Sequence, residues 1–217
     1  MMPKPTTHLL VALSLASSLG ALRSAHAQES APSVWQAHVL GGVGYGSFSE
    51  QRPDGTRLTN PSEIKASGST VQLQGAFARK LSSRFALGAA LSYVNIVSPS
   101  IDVTLRGPGT AVFETSSLSG GYVGLFSSYQ LSDAFAIDAV VGYGGIGRSS
   151  PNPSMGGLGP ALSGAASWFV ARFGSAALTL QARLTFIPMS KSSSDGDGGT
   201  YTSTLVLPAL LGGFTWM

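Results

Sequence analysis

The chain has 217 residues, of which only 11% are charged; 28 are glycine and none is cysteine, and the mean hydropathy is +0.23. These values exclude a disulfide-stapled domain and a charge-rich disordered chain. A helical membrane protein is excluded too, since no apolar run beyond the N-terminus approaches the roughly 20 residues a membrane helix needs.

The first residues read as a signal peptide over residues 1–27. Lys4 lies in a polar start, an apolar run extends from Leu9 to Leu22, and Ala25-His26-Ala27 gives the small-x-small pattern that precedes cleavage. An anchor helix is the other reading, but the run is short and Arg23 closes it. Without Lys4 and Arg23 the formal charge falls from +3 to +1, with 11 of the 13 bases facing 10 acids. The calculated isoelectric point near 9.4 is therefore no argument for a nucleic-acid partner, which needs a clustered basic face.

Residues 28–33 form a short polar periplasmic spacer, and residues 34–217 are predicted to form one all-β domain. A first strand runs from Trp35 to about Phe48, with Trp35, Val39, Val43 and Tyr45 on one face and Gln36, His38 and glycines on the other. Residues 50–69 are polar, carry six charges and contain Pro53 and Pro61, the pattern of a long loop. A second strand, Thr70 to Leu81, alternates Val71, Leu73 and Phe77 with Gln72, Gln74 and Ala76.

Next comes a phrase that occurs twice, Leu81 to Tyr93 (LSSRFALGAALSY) and Leu131 to Tyr143 (LSDAFAIDAVVGY), with a partial third copy at Leu178 to Phe186 (LTLQARLTF). Superposed, its alternate positions read Phe/Phe/Leu, Leu/Ile/Leu, Ala/Ala/Ala, Leu/Val/Leu and Tyr/Tyr/Phe, while the intervening positions are small or polar. Period two means strand. From first to last aromatic, eight steps of ~3.3 Å span roughly 26 Å, or about 20 Å upright at a tilt near 40°. An apolar band of that height between aromatic ends suits a strand crossing an outer membrane. The third strand thus runs from Phe85 to about Val97.

Residues 99–116 form the next long connection, in which the alternation IDVTLR extends the wall beyond the membrane. The fourth strand, about Leu118 to Leu131, is assigned with Val123, Leu125, Tyr129 and Leu131 outward and Tyr122 and Phe126 inward. The fifth follows the Ser132-Asp133 turn. After a Gly, Pro and Ser loop at 147–160, the sixth runs over about Leu162 to Arg172 and the seventh over Leu178 to Ile187. A loop at 189–199 precedes the eighth, from about Tyr201 to the C-terminus. Connections of about three residues alternate with connections of eleven or more, the short-turn, long-loop asymmetry of outer-membrane barrels.

On these residues the sequence resembles the eight-stranded outer-membrane barrel family that includes OmpX and the transmembrane domain of OmpA. The match rests on the hairpin from Tyr129 through Leu131, Ser132, Asp133 and Phe135 to Gly142-Tyr143, on its earlier echo, and on a glycine-rich last strand with Phe214 and Trp216. Such chains usually finish on an aromatic residue, whereas this one finishes Trp216-Met217. The resemblance implies an eight-stranded antiparallel up-and-down barrel in the outer membrane of a Gram-negative bacterium. It also implies lipid, lipopolysaccharide and the barrel-assembly machinery as partners. The aromatic residues expected at the two membrane interfaces are Trp35, Tyr45, Phe85, Tyr93, Tyr129, Phe135, Tyr143, Phe186, Phe214 and Trp216.

Motifs that look chemical have plainer readings. Gly142 to Gly147 (GYGGIG) matches GxGxxG, but Pro151 and Pro153 follow where a nucleotide site needs a helix N-terminus. Counting from Asp195, Asp195-Gly-Asp197 has Val206 where a calcium loop requires a bidentate Glu. His38 is the only histidine beyond the leader, which rules out a His-pair metal site. Some barrels of this architecture trim lipid A using His with Ser, but their His lies in a His-x-Ser motif facing lipid, whereas His38 precedes Val39-Leu40 and faces inward. Neither cofactor nor metal nor catalytic residue is expected, and no partner for the loops can be read.

Only two charges beyond the leader, Asp138 and Arg183, fall in the middle of predicted strands, both at inward positions. A desolvated ion without partners costs several kcal/mol or more, so both should join an interior polar network with His38, Gln72, Gln74 and Gln181. The favoured function is a barrel scaffold that makes its contacts through its extracellular loops and has no open pore. The alternative is a narrow OmpW-like passage for small or apolar solutes.

Overall fold

The computed structural model describes residues 34–51, 61–105, 110–114, 117–147, 156–192 and 200–217. The segments expected to be signal peptide and spacer (residues 1–33), Gly55, and Asp195 and Asp197 lie outside them. Among the described residues there are ten strands: β1 (Trp35–Gln51), β2 (Pro61–Lys80), β3 (Phe85–Val97), β4 (Ser100–Leu105), β5 (Thr110–Glu114), β6 (Ser117–Gln130), β7 (Phe135–Gly147), β8 (Gly156–Phe173), β9 (Ala176–Ser192) and β10 (Thr200–Trp216). Each long strand pairs antiparallel with the next, and β1 pairs with both β2 and β10, which closes an eight-stranded barrel without edges. The remaining hairpin, β4–β5, adds to β2 where β3 stops: β3 ends its pairing at Thr70, and β4 takes over from Ser67 to Pro61.

The repeated phrase encodes the same turn twice. Leu81 N–H donates to the Phe85 carbonyl at 2.8 Å and Leu131 N–H to that of Phe135 at 2.9 Å. In both turns the serine after the leucine accepts from the backbone, Ser82 Oγ from Phe85 N–H and Ser132 Oγ from Ala134 N–H. The third copy lacks that opening, and its strand follows a two-residue turn in which Gly174 takes φ +62°, a conformation that disfavours any residue with a Cβ. Beyond the turns all three copies behave alike: Leu91 and Tyr93, Val141 and Tyr143, and Leu184 and Phe186 face outward.

Several strands run past the ends read from sequence. The first continues to Gln51 instead of Phe48, so Glu50 lies in a strand; the second begins at Pro61 instead of Thr70; the sixth begins at Gly156 instead of Leu162; the seventh ends at Ser192 instead of Ile187. The connection expected at 50–69 is therefore reduced to residues 52–60. The physical reason is the change of solvent. Above Tyr45 and Val71 the outward residues are Ser47, Ser49, Lys65 and Ser67, which face water, so outward positions no longer announce themselves as apolar. The inward ones, Phe48, Ile64 and Ala66, remain buried. Pro61 is tolerated because it opens its strand, where no ladder N–H is required.

The interior is filled in two layers. Towards the loop end a single apolar cluster includes Phe48, Ile64, Ile96, Leu118, Ile187 and Leu205, none more than 2% exposed. Towards the turn end buried polar residues, among them His38, Ser167, Thr179 and Thr215, are joined by a small apolar cluster of Ala136, Phe169 and Ala177. Tyr122 and Phe126 lie between, both inward and buried. The close approach that admits Tyr122 depends on a glycine, since a Cβ on Gly144 would lie 2.4 Å from the Tyr122 Cβ.

Candidate functional site: the barrel interior and its outer belt

Strand parity on β1, β2, β7 and β9 sends His38, Gln72, Gln74, Asp138, Gln181 and Arg183 into the lumen, and all six are buried. The structure does not join them into one hydrogen-bonded chain. In a first group the Gln36 amide nitrogen lies 2.6 Å from His38 Nε2, so that Nε2 accepts and Nδ1 donates to Thr215 Oγ1 at 3.1 Å. Thr179 Oγ1 donates in turn to Thr215 at 2.8 Å. The His38 ring also meets Phe126 edge-on, with centroids 5.1 Å apart.

The second group centres on Asp138. Its Oδ2 accepts from Ser167 Oγ at 2.5 Å and from Gln181 Nε2 at 2.9 Å, and the same Gln181 nitrogen lies 2.8 Å from Ser167 Oγ. In the third group, Arg183 Nη1 donates to the Tyr122 hydroxyl at 3.0 Å, and Ser163 and Thr185 hydroxyls are 2.9 Å apart. Among the described residues Gln72 donates to Thr70 on its own strand, at 3.2 Å, and Gln74 Oε1 has no protein partner.

No ion pair joins Asp138 to Arg183 among the described residues, although the ladder sets them in one row on either side of Ala165. Asp138 Oδ1 and Arg183 Nε are without protein partners. The hydroxyl partners Ser167, Thr179, Thr215 and Tyr122 are the part of this arrangement missing from the sequence reading. A serine or threonine at an inward position carries no distinguishing local signal.

Glu50, at the start of the connection expected over residues 50–69, is instead buried and inward at the loop end of β1, where its Oε2 accepts from Gly156 N–H at 3.4 Å.

The outer face is apolar. Its aromatic residues fall in two rings about eight residues apart along the strands: Trp35, Phe85, Tyr129, Phe135, Phe214 and Trp216 towards the turns, and Tyr45, Tyr93, Tyr143 and Phe186 towards the loops. Phe85 and Phe214 are half-buried and the rest exposed. Phe77, Trp168 and Phe173 belong to the same surface and were not singled out from sequence. Phe77 stacks on Trp35 at 5.0 Å and Trp168 on Phe135 at 6.2 Å.

An exposed face this apolar on a closed barrel is incompatible with water and suited to hydrocarbon, because closure of β1 on both β2 and β10 leaves the wall without an open strand edge. The fold and its belt therefore define an eight-stranded transmembrane β-barrel of the outer-membrane type.

No protein-family model matches the sequence, and no curated protein matches it. Among solved structures, the outer membrane protein OprG from Pseudomonas aeruginosa is similar at 13% identity and TM-score 0.44, over 85% of this chain and 95% of that one. The outer membrane protein AlkL, solved in DMPC lipid bilayers, is similar at 12% and 0.40, over 89% and 95%. Ail, the attachment invasion locus protein of Yersinia pestis, is similar at 11% and 0.34, over 81% and 97%. At this degree of likeness the functional reading rests on the chain's own residues.

Proposed function

We propose that this outer-membrane barrel is a closed, non-catalytic scaffold that displays its loop end outside a Gram-negative cell and makes its contacts there. The observation that carries this reading is the filled lumen: the apolar cluster around Phe48, Ile96 and Leu205 lies above a layer of buried polar side chains. Eight strands enclose an interior just wide enough for side chains to fill. Reconstituted in planar bilayers, the protein should give no steady conductance, and liposomes carrying it should exclude small sugars. Reproducible channel steps that change on neutralising Arg183 or Asp138 would overturn the proposal.

A second reading, a narrow passage for apolar solutes, is favoured by one feature of the wall. Between Leu158–Ser190 and Leu162–Phe186 the β8–β9 ladder loses its pairing, where Pro160 and Pro188 lack N–H donors, at the height of the apolar cluster. Uptake of a fluorescent apolar probe into liposomes, compared between the native chain and Pro160→Val, Pro188→Val, tests it. A rate equal to that of protein-free liposomes removes this reading.

A further inference from the structure

The two ends of the barrel carry charge differently. Among the described residues, the short turns and the strand ends beside them hold Arg79, Lys80, Arg84 and Arg172 against Asp133 alone. The four stretches read from sequence as loops, 50–69, 99–116, 147–160 and 189–199, hold seven acids and six bases. Three of the four cations at the turn end belong to one hairpin, β2–β3, which has no acid between Phe77 and Tyr93.

Arg79 differs from the other cations in where it stands. Lys80 and Arg84 line the mouth of the lumen. Arg172 lies over the inward Phe169 ring, 5.8 Å from its centroid, and acts on Lys80 electrostatically. Arg79 instead continues the outward series Val71, Leu73 and Phe77, and it is exposed. Its ladder row runs from Trp35 through Arg79 to Leu87, and Trp35 stacks on Phe77 at 5.0 Å. A guanidinium thus stands on the outer wall at the height of the interfacial aromatics, where hydrocarbon gives way to headgroups. Among the described residues it has no ion-pair partner. Four residues up the strand, Gly75 leaves open space on the same face, between Val39 and Leu91 of its own row.

We infer that the outer face of the β2–β3 hairpin binds an anionic phospholipid of the phosphatidylglycerol type, with Arg79 on the headgroup phosphate and an acyl chain running past Phe77 to Gly75. A guanidinium pairs with any phosphate, so its neighbours make the selection. A zwitterionic headgroup would bring its ammonium beside Lys80 and Arg84, with no acid in the hairpin to receive it. An anionic headgroup has no ammonium to place, and each basic side chain near the surface favours it. The site does not depend on a closed lumen, so its failure leaves the scaffold reading standing.

The chain has three tryptophans. A Trp168→Phe, Trp216→Phe protein leaves Trp35, in the ladder row of Arg79, as reporter. In liposomes doped with lipids brominated on the acyl chain, brominated phosphatidylglycerol should reach half-maximal quenching at a mole fraction about fivefold below brominated phosphatidylcholine or phosphatidylethanolamine, the effect of about one cation. Arg79→Gln should remove that preference, and Arg79→Lys, which keeps the charge, should retain part of it. In a Trp35→Phe, Trp216→Phe protein the remaining Trp168, on the far strand β8, should show a smaller preference. A heat-modifiable band on gels and an unchanged circular dichroism spectrum verify that each variant is folded. Equal quenching of Trp35 by all three lipids would mean bulk lipid only and would overturn the site. Preference for phosphatidylethanolamine would overturn the headgroup assignment. A phosphatidylglycerol preference that survives Arg79→Gln, or that is equal at Trp168, would belong to the basic end as a whole and would overturn the role of Arg79.

Discussion

Asp138 and Arg183 occupy one ladder row yet take their hydrogen bonds from different neighbours, Ser167 and Gln181 for the acid and Tyr122 for the base. A direct hydrogen bond to a buried charge contributes about 1.5–3 kcal/mol, and removing one partner leaves the other unsatisfied. Double-mutant cycles in urea unfolding should therefore give a coupling of about 1–2 kcal/mol for Asp138→Asn with Gln181→Leu. The coupling for Asp138→Asn with Arg183→Met should be less than half as large. A larger Asp138–Arg183 value would mean that the two charges, not their hydroxyl and amide partners, organise the interior. Both charges at inward positions were legible from strand parity. Gln181 already stood among the residues expected around them, whereas Ser167 and the Tyr122 hydroxyl did not, since these reach the charges only through strand neighbours and across the lumen.

At the scale of single elements, the two full copies of the repeated phrase build equivalent hairpins because each supplies a serine that accepts backbone N–H groups. The third hairpin relies on Gly174 at φ +62°. Gly174→Val forces a β-branched residue into the left-handed region and should cost about 1–2 kcal/mol, whereas Ser83→Ala, in a turn without such a demand, should be neutral within about 0.5 kcal/mol; urea midpoints of the two refolded variants test this. The same short connections are expected on the periplasmic side. Cysteines at Gly55 and Ser194 should react with an impermeant reagent on intact cells and one at Ser83 should not; reaction at Ser83 alone would invert the topology. Strand existence and parity were readable wherever one face met lipid. Strand ends were not, because above the belt both serine and lysine serve as outward residues.

For the molecule as a whole, the apolar layer near the loops acts as a hydrophobic core inside a barrel. Phe48 is almost fully buried there, and a buried Phe→Ala change costs about 3–5 kcal/mol. Phe48→Ala should lower unfolding stability by that order, as measured by urea titration in liposomes, whereas at a water-filled lumen the change would be close to neutral.

By itself the sequence determined that the chain alternates with period two, that it crosses hydrocarbon by strands, and which residues face inward within the belt. Those are local properties, written in neighbouring positions wherever the two faces meet different solvents. Only the tertiary structure decided that the loop half of the lumen is an apolar cluster, that Asp138 and Arg183 are served by separate partners, and that Glu50 is buried. Each of these depends on which residues of different strands stand at the same height, and that is set by ladder register and barrel closure, which join positions far apart in the chain.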